Sequence, residues 1–358
     1  MRKLLAMIVV LIMVLALSGC GSPEEEQPEE QIDYEIALVT DAGLLMDGGY
    51  SEVAWNAISE FGATQGISHK YYKAAEATEE AYRTAIDDAV KKGAKVIVAD
   101  GYSFEDVIYD AQKEYKEVKF ILIDAEPINT ETGKVDIADN TVAIMFSSEE
   151  AGYMVGYAAV ENGASQLGFI GDVEKAEMED YGYGFVQGAN AAASNNGVSV
   201  NIKYHYCNEA GDNDAVLKTI GDWYKDGTEV VFACGPQVER PVIEAAELND
   251  KKVILCETDK SKMSDTVITS AIKDISGVIE MALDQYKSNK FPGGEIIEYD
   301  TATESIWIDM ETSRFTSFND GDYKELQRNL ESKFIEVKNH ESGKIADLEL
   351  YNVNIIEE

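Results

Sequence analysis

The polar residues with most to offer a ligand recur at one kind of place. Thr40-Asp41, Asp100-Gly101, Asp124, Gly171-Asp172, Gly235 and Glu257 each follow a short apolar run. A carboxylate there accepts hydrogen bonds from hydroxyl and amino groups, although an Asp ahead of a helix can equally cap it. Covalent chemistry has less material to work with. The three histidines, His69, His205 and His340, are scattered, and Cys20, Cys207, Cys234 and Cys256 have no CxxC spacing. No tight Asp-rich metal motif and no nucleophile elbow occurs in the sequence. A pair of these carboxylates acting on a glycosidic bond is chemically conceivable. The pattern favours reversible hydrogen bonding instead, so no catalytic residue, cofactor or metal is expected.

The elements that must hold these residues alternate regularly. Glu35 to Thr40, Lys95 to Ala99, Lys119 to Asp124 and Thr141 to Phe146 are short and β-rich. Between them Ser51 to Thr64, Thr78 to Lys92 and Ser103 to Tyr115 carry apolar residues at helical spacing. A second series of strands, Leu167 to Gly171, Val200 to Tyr206, Glu229 to Cys234 and Lys252 to Cys256, alternates with helical stretches in the same way. Strands that are apolar throughout and joined by helices imply parallel sheets covered on both faces, and two series imply two α/β lobes. Cys234 and Cys256 fall inside such strands and are expected to pack as small hydrophobes. In open parallel sheets the ligand crevice lies beyond the carboxyl ends of the strands, so the cleft between two lobes is where a site is expected. The expected bounds are residues 34–140 plus about 260–294 for lobe 1, and 141–259 plus about 295–320 for lobe 2. Residues 321–358 are expected to form a helix and tail packed on a lobe.

The amino terminus supplies an address. Arg2 and Lys3 precede an apolar run, Leu4 to Leu17, whose roughly 14 residues are short for a membrane span but suit a signal sequence. Leu17-Ser18-Gly19-Cys20 resembles a bacterial lipobox, which implies removal of residues 1–19 and acylation of Cys20, for instance with palmitate. A plain secretory signal with a chance cysteine is the alternative. Residues 20–33 are acidic, carry little to bury, and read as a tether. The chain is therefore expected outside the cytoplasm, anchored by lipid to the cell membrane. With 67 acidic against 30 basic residues, its formal charge of −37 argues against a nucleic-acid partner or adhesion to an anionic lipid surface.

Several stretches together resemble a known family. Val39-Thr40-Asp41-Ala42-Gly43, followed by Asp47-Gly48-Gly49-Tyr50-Ser51 and Trp55, is similar to the opening of the basic membrane protein family of ABC-transporter substrate-binding lipoproteins. Asp100-Gly101-Tyr102-Ser103-Phe104, Glu149-Glu150-Ala151-Gly152-Tyr153, Gly168-Phe169-Ile170-Gly171-Asp172, Gly182-Tyr183-Gly184-Phe185 and Thr269-Ser270-Ala271-Ile272-Lys273 follow in the family's order, so the resemblance spans about residues 34–350. It implies a two-lobed type I periplasmic-binding-protein fold with hinge crossovers. It also implies a non-enzymatic, monomeric binder that captures a nucleoside, with purines foremost, and delivers it to a permease and its ATPase. A sugar or another small solute, or a sensory role, are the alternatives.

The resemblance also suggests a ligand set. Tyr50 suits stacking on a base, Asp41 and Asp124 suit its edge or the sugar hydroxyls, and Asp47, Ser51 and Gly235 stand at matching positions. Lys273, with either Glu257 or Asp259, corresponds to the family's ribose contacts, and Tyr206 is the nearest candidate for a second aromatic platform. The chain departs from the pattern in carrying Tyr50-Ser51 for Phe-Asn, Cys234-Gly235-Pro236-Gln237 for a Gly-rich loop, and Glu257 for the usual Asp.

Overall fold

The computed structural model describes residues 33–43, 45, 48–207 and 213–357. The leader, Cys20, the tether through residue 32, and Asp47 lie outside them.

The first half of the chain supplies β1 (Ile36–Thr40), β2 (His69–Lys73), β3 (Val96–Asp100), β4 (Lys119–Ile123), the small hairpin β5 (Ile128–Asn129) and β6 (Lys134–Val135), and β7 (Thr141–Phe146). The second half supplies β8 (Gln166–Gly171), β9 (Val200–Tyr206), β10 (Val230–Cys234), β11 (Lys252–Glu257), β12 (Val267–Lys273), β13 (Glu295–Tyr299), β14 (Ile306–Ile308) and β15 (Val353–Glu357). They form two main sheets, ordered β13-β7-β4-β3-β1-β2 and β14-β12-β11-β10-β8-β9-β15. The pairings are parallel except β12 with β14 and the small hairpin. Central strands are sealed on both faces: Ile97, Val98 and Ala99 of β3 and Val253, Ile254 and Leu255 of β11 are fully buried. Cys234 and Cys256 lie in this interior. Each sheet with its helices is one lobe.

Three strands lie in the opposite sheet to the one expected. β7 and β13, placed by the sequence bounds in lobe 2, pair with each other in the first sheet, Thr141–Phe146 beside Glu295–Tyr299. β12, placed in lobe 1, pairs with β11 in the second. An apolar run marks a strand without stating its neighbour, which long-range pairing chooses. The chain accordingly crosses between lobes after β7, after β12, and between β13 and β14. Lys273, the last residue of β12, stands at one of these crossings.

The second lobe is stiffened by two helices, Ser148–Glu161 and Ala176–Asn196, that touch backbone to backbone. Gly152 and Gly156 face the carbonyls of Tyr181 and Phe185, while Gly184 and Gly188 face those of Glu149 and Tyr153. A Cβ at any of the four would overlap these carbonyls, so only glycine permits the crossing. The helix Asp320–Glu331 packs on this pair through Ser148–Glu161, and β15 extends the second sheet beside β9. The carboxyl-terminal segment thus belongs to the second lobe.

Candidate functional site

The carboxyl ends of both sheets border a cavity of about 150 Å³ between the lobes. Asp41, Tyr50, Ser51, Asp100 and Tyr102 line it from the first lobe, and Glu177, Glu239, Glu257 and Lys260 from the second. Local geometry explains the aim of each. Asp41 follows β1, and its Oδ1 accepts from the Gly43 amide at 2.8 Å. Gly48, at φ +81°, turns the chain so that Tyr50 and Ser51 open the helix Tyr50–Gln65. The Gly48 carbonyl accepts from Thr258 Oγ1 of the other lobe at 2.9 Å, bridging the two sides. Asp100 ends β3, and Gly101 at φ +79° swings Tyr102 over the opening.

Two acids at strand ends adopt left-handed backbone, Asp124 after β4 at φ +54° and Glu257 closing β11 at φ +71°. A non-glycine residue there costs roughly 1–2 kcal/mol, a strain that concentrates at binding sites. Glu257 lines the cavity, whereas Asp124 is buried behind it against Lys273.

The ammonium groups are engaged inside the protein. Lys273 Nζ lies 3.0 Å from Asp124 Oδ2 and 2.5 Å from Glu177 Oε1, with the Tyr181 and Phe146 rings 4.9 and 5.5 Å away. Lys260 Nζ contacts Glu239 and lies 3.5 Å from Glu257 Oε2. Burial by itself would lower both lysines. Asp124 and Glu177 beside Lys273, and Glu239 and Glu257 beside Lys260, overcome that and raise them, so both stay charged. Glu239, Cys256 and Glu257 bring ligand atoms within 4.8 Å of one another, but the Lys260 ammonium already occupies the cationic place beside both carboxylates.

Burial raises the acids in turn. Asp100 is raised well above its ordinary value by burial and then by Asp41, Glu257 and Asp124. Asp124 and Glu177 are also raised by burial, with Lys273 opposing. Burial, followed by repulsion from Glu257, pushes the Asp172 carboxyl up to about 7. Its carboxyl fills the space a side chain at Gly235 would need, which explains the glycine at φ +103°. The Tyr50 hydroxyl is buried with no hydrogen-bond partner among the described residues. A buried unpaired hydroxyl costs about 1–3 kcal/mol, which a ligand acceptor or donor would recover.

Of the residues expected from sequence, the fold gathers Asp41, Tyr50, Ser51 and Glu257 on the cavity wall, with Asp124 and Lys273 immediately behind. Gly235 lies beneath Pro236, which lines it. The pair left open in sequence is separated: Glu257 faces the cavity, and Asp259 is exposed, accepting from the amide and hydroxyl of Ser261 at 2.9 and 3.1 Å. Tyr206 packs into its own lobe, edge-on to Phe169 at 5.8 Å with its hydroxyl 2.7 Å from that of Tyr204. The tight packing of its ring over Gly171 holds it there. The second aromatic on the wall is Tyr102, from the first lobe. Asp100 and Tyr102 sat in a strand-end motif and were within reach of the strand-end rule. Glu177, Glu239 and Lys260 were missed because they stand on helix starts and a loop, where only the meeting of the lobes reveals them.

A family model described as ABC transporter substrate-binding protein PnrA-like matches residues 35–342. The chain is similar to a CD4+ T-cell-stimulating antigen of Listeria innocua, 25% identical over 329 residues that span 85% of this chain and 89% of the relative. It is also similar to the ABC transporter nucleoside-binding protein BmpA of Lactococcus lactis subsp. cremoris, 26% identical over 333 residues spanning 85% and 90%. Among solved structures, an ABC transporter system solute-binding protein from Aeropyrum pernix K1 shares the fold with a TM-score of 0.68 at 15% identity, covering 85% of this chain and 87% of that one.

Proposed function

Because this chain belongs to the PnrA-like family of ABC-transporter substrate-binding proteins, we propose that its interlobe cavity captures a nucleoside, with purine nucleosides foremost, for delivery to a membrane permease. The observation that carries this reading is the composition of the lining: Tyr50 and the strand-end carboxyl of Asp41 from the first lobe, with the strand-end carboxyl of Glu257 from the second. A base offers flat faces to an aromatic ring, and its ribose offers hydroxyls that need acceptors. Lobes joined by three crossings can close about the ligand as a hinge.

Lipidation of Cys20 would hold the binder at the membrane surface, and an acidic tether of about 13 residues would reach roughly 20 Å as a flexible coil. No helix among the described residues is long and apolar enough to cross a membrane. In this reading the protein acts as a monomer with a permease and its ATPase, and it leaves its ligand chemically unchanged. Incubation with inosine should therefore release no free base.

The deciding experiment is a melting curve with adenosine, guanosine, inosine and their pyrimidine counterparts. A ligand at a hundred times its dissociation constant stabilises the fold by about 2.7 kcal/mol, readily seen as a shift. If none of them moves the curve while a sugar does, the nucleoside reading falls and the same cleft serves a sugar.

A further inference from the structure

We propose that Glu177 is a specificity-determining residue of the cleft: it holds the Lys273 ammonium behind the cavity wall and presents its own carboxylate there, so that the site selects ligands bringing hydrogen-bond donors and turns away phosphate esters. The choice of nucleosides as probes rests on the reading above.

Glu177, in the first turn of the helix Ala176–Asn196, lines the cavity, whereas Lys273 stands behind that wall with its side chain wholly buried. An ammonium has three donors. Here Glu177 Oε1 at 2.5 Å and Asp124 Oδ2 at 3.0 Å take two directions, and the Tyr181 and Phe146 rings flank the rest. A ligand reaching for Lys273 must first displace a charge-assisted contact in a dry setting, which is unfavourable unless its replacement is equally good.

What the ligand meets instead is acceptors. Asp41 and Glu257 share the cavity lining with Glu177. Of the cations there, Lys260 is committed to Glu239, and Arg240 is exposed. Ribose hydroxyls and amino groups donate to such a wall. A phosphate brings only negative charge and acceptors, and like charges forced together in a poorly hydrated cleft repel strongly. Removing the charge at 177 changes both terms at once: one repulsive carboxylate disappears, and one donor of Lys273 is released while Asp124 still pairs with the rest.

The test uses the purified protein, Glu177→Gln and Glu177→Ala, with two readouts. Calorimetric titration compares adenosine with adenosine 5′-monophosphate. The protein as it stands should prefer adenosine at least a hundredfold, and Glu177→Gln should narrow that preference at least tenfold, chiefly by gaining monophosphate affinity. Acylation of lysines by an N-hydroxysuccinimide ester, mapped by peptide mass spectrometry, should proceed at least tenfold faster at Lys273 in Glu177→Ala. An unchanged preference, or equal labelling of Lys273 with and without the Glu177 carboxylate, overturns the proposal. If adenosine binds no form of the protein, the nucleoside reading is what has failed. Monophosphate affinity gained in Glu177→Gln together with faster labelling would then still support the role of Glu177, and absence of either would overturn it.

Discussion

Replacing Lys273 with methionine should destabilise the protein in a way that depends steeply on pH. The side chain keeps nearly the same length and loses only its charge, leaving Asp124 and Glu177, 4% and 10% exposed in their side chains, facing each other without a cation. With an effective dielectric constant of about 20, contacts of 3.0 and 2.5 Å correspond to roughly 5–7 kcal/mol of attraction each, most of it offset by desolvation of the three ions. Removing one member of such a buried set typically costs about 3–5 kcal/mol. For a chain of this size that is a fall of about 4–7 °C in melting temperature. The sign with pH follows from proton binding. Burial already raises both carboxyls, and loss of the ammonium raises them further. The folded variant therefore holds protons that the unfolded chain has released above about pH 4, and its stability falls as pH rises through that window. Urea unfolding at pH 5 and pH 8 is the assay. Most of the deficit should be present at pH 8 and at least half should vanish at pH 5, and adding Glu177→Gln should relieve part of it at pH 8. A deficit below about 1 kcal/mol at pH 8, or one equal at both pH values, would refute the reasoning that this triad is held by its buried charge.

Other consequences are simpler to read. Gly184→Ala should lower stability by about 1–3 kcal/mol in thermal unfolding, because the new methyl overlaps the Glu149 carbonyl; at an ordinary helical position the same change stabilises. Burial, with Asp180 next, pushes the Glu149 carboxyl up to about 8. The folded state thus keeps a proton that the unfolded chain loses above its ordinary value, so Glu149→Gln should stabilise by on the order of a few kcal/mol at pH 8 and much less at pH 5, as urea midpoints at both would report. Tyr50→Ala should weaken nucleoside binding by about ten- to a hundredfold in calorimetry while leaving the far-ultraviolet circular dichroism unchanged, since the ring is half-buried at the cleft.

Local patterning accounts for much of the architecture. β1, β3, β4, β8, β10 and β11 were legible because a strand buried on both faces must be apolar throughout, and runs such as Val96 to Ala99 and Val253 to Cys256 meet that demand without reference to the rest of the chain. Asp41, Asp100, Asp124 and Glu257 were legible as strand-end acids for a related reason: side chains at or just beyond the last paired residue stand at the rim of the interior and can serve a crevice. Gly152 and Gly184 fell in stretches that resemble the family, but the purpose of Gly152, Gly156, Gly184 and Gly188 was not legible, since each answers to a carbonyl on the other helix.

Sequence alone therefore determined that this is a doubly covered α/β chain with acids at its strand ends, because burial and periodicity act within a few residues. Which sheet β7 and β13 join was decided only by the pairing of runs more than a hundred residues apart, whereas β12 lies beside the preceding strand β11 and takes its other partner, β14, from across a lobe crossing. The same holds for the site. Only tertiary structure set Glu257 inward and Asp259 outward, turned Tyr206 onto Phe169, and brought Asp124, Lys273 and Glu177 from three separate segments within 3.0 Å contacts. Electrostatics of that kind depends on distance in space and on the exclusion of water, and neither is written in the spacing of residues along a chain.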